Sequence, residues 1–258
     1  MIHALSDAGL SALRTATSQP LLYAFDFDGT LAPISPDRQA VRISTGVLQC
    51  LGELAKRAPC AIVSGRALAD VEGRINGYVQ YVLGNHGIES PLTAQSRLLD
   101  AERTCADWKH QLQRSLDSLG LPGVEIEDKR YTLTIHFRRA ANPATAGAHA
   151  LIPLRQLTPT PELIEGKYSI NVLPPGQGGK GPAAFELMNH LGRTGLFYIG
   201  DEQTDETVFA LSNVVTMGVR VGKQDGSRAA YYLNDQTEVE ELLRRLIECM
   251  GPSWSNPA

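Results

Sequence analysis

Short apolar runs that each stop at a polar or acidic residue, separated by stretches with a one-sided apolar pattern, constrain this chain most. LLYAFDF (21–27) reads as a buried strand, and STGVLQCLGELAKRA (44–58) places Val47, Leu48, Leu51 and Leu54 on one helical face. PCAIVSGR (59–66) reads as a second strand, ALADVEGRI opens another helix, and YVLGNHG (81–87) is a third short strand. After Pro175 the same rhythm returns: helix GPAAFELMNHLG, strand LFYIGD, helix DETVFALS, strand VVTMGV and a last helix TEVEELLRRLIECM. Strand and helix alternating at this pitch imply βαβ units and a parallel sheet.

Between Glu89 and Pro175 the pattern differs. SRLLDAERTCADWKHQLQRSLDSL (96–119) is a long amphipathic helix. VEIEDKRYTLTIHFRR (124–139) then alternates with period two. Tyr131, Leu133, Ile135 and Phe137 face one way, and Thr132, Thr134, His136 and Arg138 the other. That predicts a half-buried antiparallel strand with a polar open face. A helix over about 143–157 follows, then ELIEGKYSINVLP as two strands with a turn near Gly166 and Lys167. The segment is therefore expected to be an α+β insertion, a cap that excludes water from the crevice and contacts the leaving group. The stretch between Ser64 and Lys180 is far too long for a loop. The expected division is a core of residues 1–88 and 174–258 and a cap of 89–173. The tail GPSWSNPA reads as loose.

At 258 residues, 43% hydrophobic and 20% charged, the composition is that of an ordinary globular protein. A net charge of −4 gives no global attraction for nucleic acid, so any anion must meet a local cluster. Cys50, Cys60, Cys105 and Cys249 are scattered, with no CxxC pair, and read as free thiols of a reducing cytosol. No run is long and apolar enough to suggest a membrane span, and the first residues lack the pattern of a signal peptide. A cytoplasmic, monomeric protein without nucleic-acid or membrane partners is expected. The first 20 residues are open to two readings, a helical extension alone or a segment that packs on the core or a partner.

In an open parallel sheet, ligands gather at the carboxyl ends of the strands. Four such ends here carry polar residues: DFDGT at 26–30, VSGR at 63–66, GNHG at 84–87 and IGDEQTD at 199–205. If those strands are neighbours, Asp26, Asp28, Ser64 and Asp201 converge on one crevice. Three acids there form a hard oxygen site suited to Mg2+, which keeps several waters and takes phosphate as a further ligand. A nucleophilic carboxylate, a second acid and a metal serve phosphoryl transfer through an aspartyl phosphate. Asp26 would attack phosphorus, and Asp28 would protonate the leaving oxygen and later deprotonate water. Thr30 and Ser64 hydroxyls and the Lys180 ammonium would hold the phosphoryl oxygens. GQGGKG (176–181) imitates a dinucleotide GxGxxG, but it ends an insertion rather than forming a first βα turn. Its glycines are read as presenting Lys180.

DFDGTLAP, VSGR, GGKG and GDEQTDE, in this order, resemble the four motifs of the haloacid dehalogenase-like (HAD) phosphatases. The resemblance implies a Rossmann-like α/β core with a parallel sheet and an inserted α+β (C2B-type) cap. It implies Asp26 as nucleophile and Asp28 as acid/base. The metal would be held by Asp26, the Asp28 carbonyl and Asp201, and Asp205 would orient the metal shell or Lys180. VSGR, GNHGIE, EDKRYTLTIHFR and the GKY…P segment further resemble the trehalose-6-phosphate phosphatases. In that family the matching positions, here Arg66, His86, Lys129, Thr132, His136 and Arg138, are associated with substrate. The last cap strand departs from the family pattern: Asn171 stands where an acid that grips sugar hydroxyls is typical, and Leu173 where a basic residue is. Asn171 can still donate and accept hydrogen bonds to a sugar.

The expected activity is Mg2+-dependent hydrolysis of trehalose 6-phosphate in trehalose biosynthesis. A phosphatase for sucrose phosphate or a mannosyl phosphate, a phosphomutase, and a catalytically silent sugar-phosphate sensor stay open as alternatives.

Overall fold

A computed structural model describes residues 1–35, 37–119, 121–166, 168–176, 178–211 and 213–250. The loose-tail expectation, Lys167 in the predicted turn and one position of GQGGKG lie outside them. The chain divides into two compact units, Met1–Pro91 with Gly179–Ala258, and Leu92–Gly178.

The first unit runs β1 (Ile2–His3), α1 (Asp7–Thr17), β2 (Leu21–Phe25), α2 (Thr45–Ala55), β3 (Cys60–Val63), α3 (Leu68–Ile75) and β4 (Tyr81–Leu83). The second holds α4 (Gln95–Leu119), β5 (Glu125–Asp128), β6 (Leu133–His136), α5 (Pro143–Leu154), β7 (Glu162–Gly166) and β8 (Ser169–Leu173). The chain then returns to the first with α6 (Lys180–His190), β9 (Gly195–Gly200), α7 (Glu206–Phe209), β10 (Val215–Val221), β11 (Tyr231–Leu233) and α8 (Val239–Cys249).

The first unit is a parallel sheet in the order β1-β11-β10-β9-β2-β3-β4. Every residue of β2 is buried, as a strand covered on both faces requires. Tyr23, Phe25, Phe197 and Ile199 pack with Leu51, Leu54, Leu242 and Leu246 in one apolar cluster. Helix starts follow side-chain capping: the Ser6 and Ser44 hydroxyls accept from Gly9 N and Val47 N. The N-terminal segment is more than a helical extension, because Ile2 and His3 add an edge strand to Tyr231 and Tyr232. This two-residue edge strand is too short for its periodicity to register in the sequence. The helix expected over DETVFALS is a 3-10 turn (Gln203–Asp205) running into the single turn of α7.

The second unit is an antiparallel sheet in the order β5-β6-β8-β7. Leu133, Ile135, Ile170 and Val172 lie on one face and pack with Trp108 and Leu112 of α4 and Ala150 and Leu154 of α5. The single strand expected over 124–139 is in fact a hairpin. Asp128 pairs with Leu133, Lys129 N donates to Thr132 O at 3.0 Å, and Arg130 has φ +74°. The Asp128 carboxylate accepts from Arg130 N at 2.8 Å, an Asx-type turn. Apolar residues fall on even positions before this turn (Val124, Ile126) and odd positions after it, the phase slip that pairing Ile126 with Ile135 demands. Thr132 and Thr134, predicted on an open face, are buried.

Trp108 is fully buried and its indole N–H donates to Pro159 O at 2.9 Å. Trp108→Ala should cost about 3–5 kcal/mol in urea unfolding of the second unit's signal; a loss below about 1 kcal/mol would contradict this packing.

Candidate active site

The four polar strand ends come from adjacent strands, since β9, β2, β3 and β4 are neighbours. Asp26 follows β2 directly, and its N–H still donates to Ile199 O at 2.9 Å, so the strand ladder fixes its backbone. Ser64 follows β3, with its N–H on Leu83 O, and Asp201 follows β9. Lys180 opens α6 and lies 2% exposed between two carboxylates. Its Nζ is 2.6 Å from Asp26 Oδ1 and 2.9 Å from Asp205 Oδ1. The Tyr198 hydroxyl donates to Asp205 Oδ1 at 2.6 Å and Glu202 N to Oδ2 at 2.8 Å. Asp205 is thus saturated with donors and acts on Lys180 rather than standing open.

Among the described residues, Asp26, Asp201 and Asp205 offer carboxylate oxygens within 4.8 Å of one another. Burial raises the Asp26 pKa well above the usual range, opposed by Lys180 and reinforced by Asp205 and Asp201. Burial, with Asp205 and Glu202 nearby, pushes Asp201 up to about 7. Burial works against the Lys180 charge, but Asp205 and Asp26 outweigh it and hold the ammonium protonated. Three acids share one ammonium, a deficit of positive charge that a hard divalent cation matches. With Asp205 engaged by Lys180, Tyr198 and Glu202, Asp26 and Asp201 are the side chains suited to hold it. The Thr30 hydroxyl donates to Asp201 Oδ1 at 3.2 Å.

Glycine makes this approach possible. Gly29 has φ +79°, and a Cβ there would meet Asp201 Oδ2 at 2.2 Å. At Gly200 a Cβ would meet Asp205 Cγ at 2.3 Å, and at Gly65 the His86 ring at 2.6 Å.

Asp28 turns its carboxylate to Arg66, with Nε 2.6 Å from Oδ2 and Nη2 2.7 Å from Oδ1. Arg66 Nη1 also donates to Asp70 Oδ2 at 2.7 Å and Arg38 O at 3.1 Å. Arg66 N donates to Ser64 Oγ at 3.1 Å. His86, buried, sits in a 3-10 turn at φ +57°, its N–H on Ser64 O and its carbonyl accepting from Gly179 N at 3.1 Å. The first unit thus brings together Asp26, Asp28, Thr30, Ser64, Arg66, His86, Lys180, Asp201 and Asp205.

The other predicted residues share a sheet face of the second unit. Glu127, Thr134 and Asn171 are paired across β5, β6 and β8, and the Thr134 hydroxyl donates to Asn171 Oδ1 at 2.9 Å. Glu127 Oε2 lies 2.8 Å from His136 Nε2 and 3.9 Å from Lys129 Nζ. Thr132 bonds Lys129 through the backbone. Arg138 departs from this cluster and stacks at 5.0 Å on the Tyr168 ring.

Sequence reasoning missed Tyr198, Asp70, Arg220 and Glu127. Arg220 Nη2 donates to Asp201 O at 2.6 Å and Nη1 to Glu206 at 2.9 Å, pinning the loop after β9. A lone arginine inside the apolar strand VTMGVRV was a readable signal, as was an acid two residues before Lys129. Tyr198 offered none, since it reads as one more apolar strand residue.

The chain matches the family model described as trehalose-phosphatase over residues 24–237. Trehalose-phosphate phosphatase of Mycolicibacterium paratuberculosis is 31% identical over 239 residues, covering 87% of this chain and 61% of that relative, so the chain spans about three fifths of its length. The C-terminal domain of C. albicans trehalose-6-phosphate phosphatase has a TM-score of 0.76 at 24% identity, covering 96% of this chain and 99% of that one. A haloacid dehalogenase-like hydrolase from Bacteroides thetaiotaomicron has a TM-score of 0.58 at 18% identity, covering 88% of this chain and 99% of that one. At these identities the two structures show a shared fold, the HAD-like α/β core with a further α+β unit. The family model covers most of the chain, from within β2, just before Asp26, to the turn that precedes α8, and the chain belongs to the trehalose-phosphatase family.

Proposed function

We propose that this protein hydrolyses trehalose 6-phosphate to trehalose and phosphate with Mg2+, through a phosphorylated Asp26. The observation that carries the reading is the buried Lys180 ammonium held between Asp26 and Asp205, with Asp201 grouped with these two acids and Asp28 two residues on from Asp26. The names of the relatives support the substrate. The first unit carries the chemistry and the second the sugar recognition.

Lys180 orients the Asp26 carboxylate and keeps a positive charge where a phosphoryl group would bind. The Asp26 oxygen forms a bond to phosphorus as the bond to the sugar oxygen breaks, and Asp28 gives that oxygen its proton. Asp28 then takes a proton from water, whose oxygen attacks phosphorus and frees Asp26. To act, Asp28 must exchange its pair with Arg66 for the leaving oxygen, which couples Arg66 to the acid it holds. Thr30 and Ser64 supply hydroxyls to the phosphoryl oxygens. Mg2+, held by Asp26, the Asp28 carbonyl and Asp201, would neutralise phosphoryl charge. On the sheet face of the second unit, Lys129, His136, Thr134 and Asn171 offer donors and acceptors for sugar hydroxyls. Glu127 supplies there the carboxylate that position 171 lacks.

Wild-type protein should release phosphate from trehalose 6-phosphate far faster than from sucrose 6-phosphate or mannosyl phosphates. Asp26→Asn should abolish release by at least about 10³-fold with an unchanged circular dichroism spectrum. Comparable release from monosaccharide phosphates would sink the disaccharide assignment. Glu127→Gln should raise KM by about tenfold or more with a smaller change in kcat, a pattern that lost recognition produces.

The acidic cluster also predicts a pH dependence in chelated protein. An Asp201 pKa raised from its ordinary range to about 7 means the folded state holds the extra proton, so its stabilisation falls as pH rises toward and through 7. Tm should therefore drop between pH 6 and pH 8 in chelator, and Mg2+ should restore more at pH 8 than at pH 6. Asp201→Asn should flatten the slope; a Tm that rises with pH in chelated wild type contradicts the reading.

A further inference from the structure

Asp28 ends a chain of four side chains of alternating charge: Asp28, Arg66, Asp70 and Arg74. Asp70 and Arg74 lie one turn apart on α3, and Arg66 stands just before that helix. Arg66 turns its Nε and Nη2 to Asp28, while its Nη1 donates to Asp70 Oδ2 at 2.7 Å. Asp70 Oδ1 accepts from Arg74 Nε at 2.9 Å and Nη2 at 2.7 Å. Arg74 also donates to the carbonyls of Arg38, Gln39 and Val41, so its charge does not rest on Asp70 alone.

Arg66 is fixed where Asp28 is not. Its side chain is 6% exposed, against 35% for Asp28. Its guanidinium carbon lies 5.4 Å from the centre of the Phe27 ring, and Nη1 donates to Arg38 O as well. When Asp28 turns to the leaving oxygen, Arg66 therefore stays behind and loses one of its two carboxylates. A buried cation stripped of its partner is strongly unfavourable. Asp70 is the carboxylate that remains. Burial works against its charge, but Arg74 and Arg66 outweigh burial and hold the carboxyl below its usual range.

We propose that Asp70 is a positioning residue for the phosphatase reaction: as the standing counter-ion of Arg66, it lowers the cost of Asp28 leaving Arg66 to protonate the departing oxygen. The proposal rests on the reading of Asp26 as nucleophile and Asp28 as acid/base. Asp70 acts through Arg66 alone.

Comparing substrates within one protein sample tests it, because a ratio of rates does not depend on how much of a variant is folded. A sugar phosphate releases an alkoxide that needs the Asp28 proton, whereas 4-nitrophenyl phosphate and acetyl phosphate release stable anions that do not. The ratio of kcat/KM values compares the steps up to that release, before Asp28 acts on water. With Mg2+ present, Asp70→Asn should lower kcat/KM about tenfold or more for the sugar phosphate turned over fastest, and less than about threefold for the two activated phosphates. Arg66→Met removes the cation that Asp70 serves, so adding Asp70→Asn to it should leave the ratio unchanged. An equal fall for all three substrates, no fall for the sugar phosphate, or the same shift of the ratio in the Arg66→Met background would overturn the proposal while wild-type turnover upheld the phosphatase reading. No turnover of any of the three by wild type would overturn both.

Discussion

A lysine ammonium buried between two aspartates sets the terms for the rest of the first unit. Removing Lys180 from water is unfavourable, and the pair survives because Asp26 and Asp205 both reach it within hydrogen-bonding distance. Asp205 in turn is held by Tyr198 and by the Glu202 N–H, so its position is overdetermined. A buried ion pair built so closely adds little net stability, and removing one partner would leave a stranded charge. Its value lies in pre-orienting Asp26, whose backbone the strand ladder already fixes. Lys180 stands at the point where the chain re-enters the first unit, so the insertion is interrupted where the site needs its cation.

Much of this was legible because parallel sheets place function at their carboxyl ends and mark it with residues that a strand interior rejects. Asp26, Ser64 and Asp201 were readable on that ground, and the adjacency of β9, β2 and β3 brings them to one edge; Lys180 was read instead from its place at the start of a helix. The role of Gly29 was not readable, because its reason is a contact made from far along the chain: a side chain there would occupy the space of the Asp201 carboxylate. Tyr198 was hidden for a related reason. An aromatic in a fully buried strand carries the same pattern signal whether or not its hydroxyl has a task. The β5–β6 turn shows the converse, a feature present in the pattern as a phase slip between Ile126 and Tyr131 that alternation alone smooths over.

The sheet face of the second unit shows how strand register gathers residues far apart in sequence onto one surface. Cross-strand pairing sets Glu127, Thr134 and Asn171 side by side across three strands. Glu127 on β5 therefore presents its carboxylate on the same face as Asn171, about two strand spacings away. Asn171 is engaged by the Thr134 hydroxyl, and Glu127 reaches His136 and Lys129. Position along the sequence separates these residues widely, while the register makes them one surface. Recognition by such a face depends on the set of groups it presents rather than on which strand bears the acid, so the departure at Asn171 is compatible with a sugar ligand.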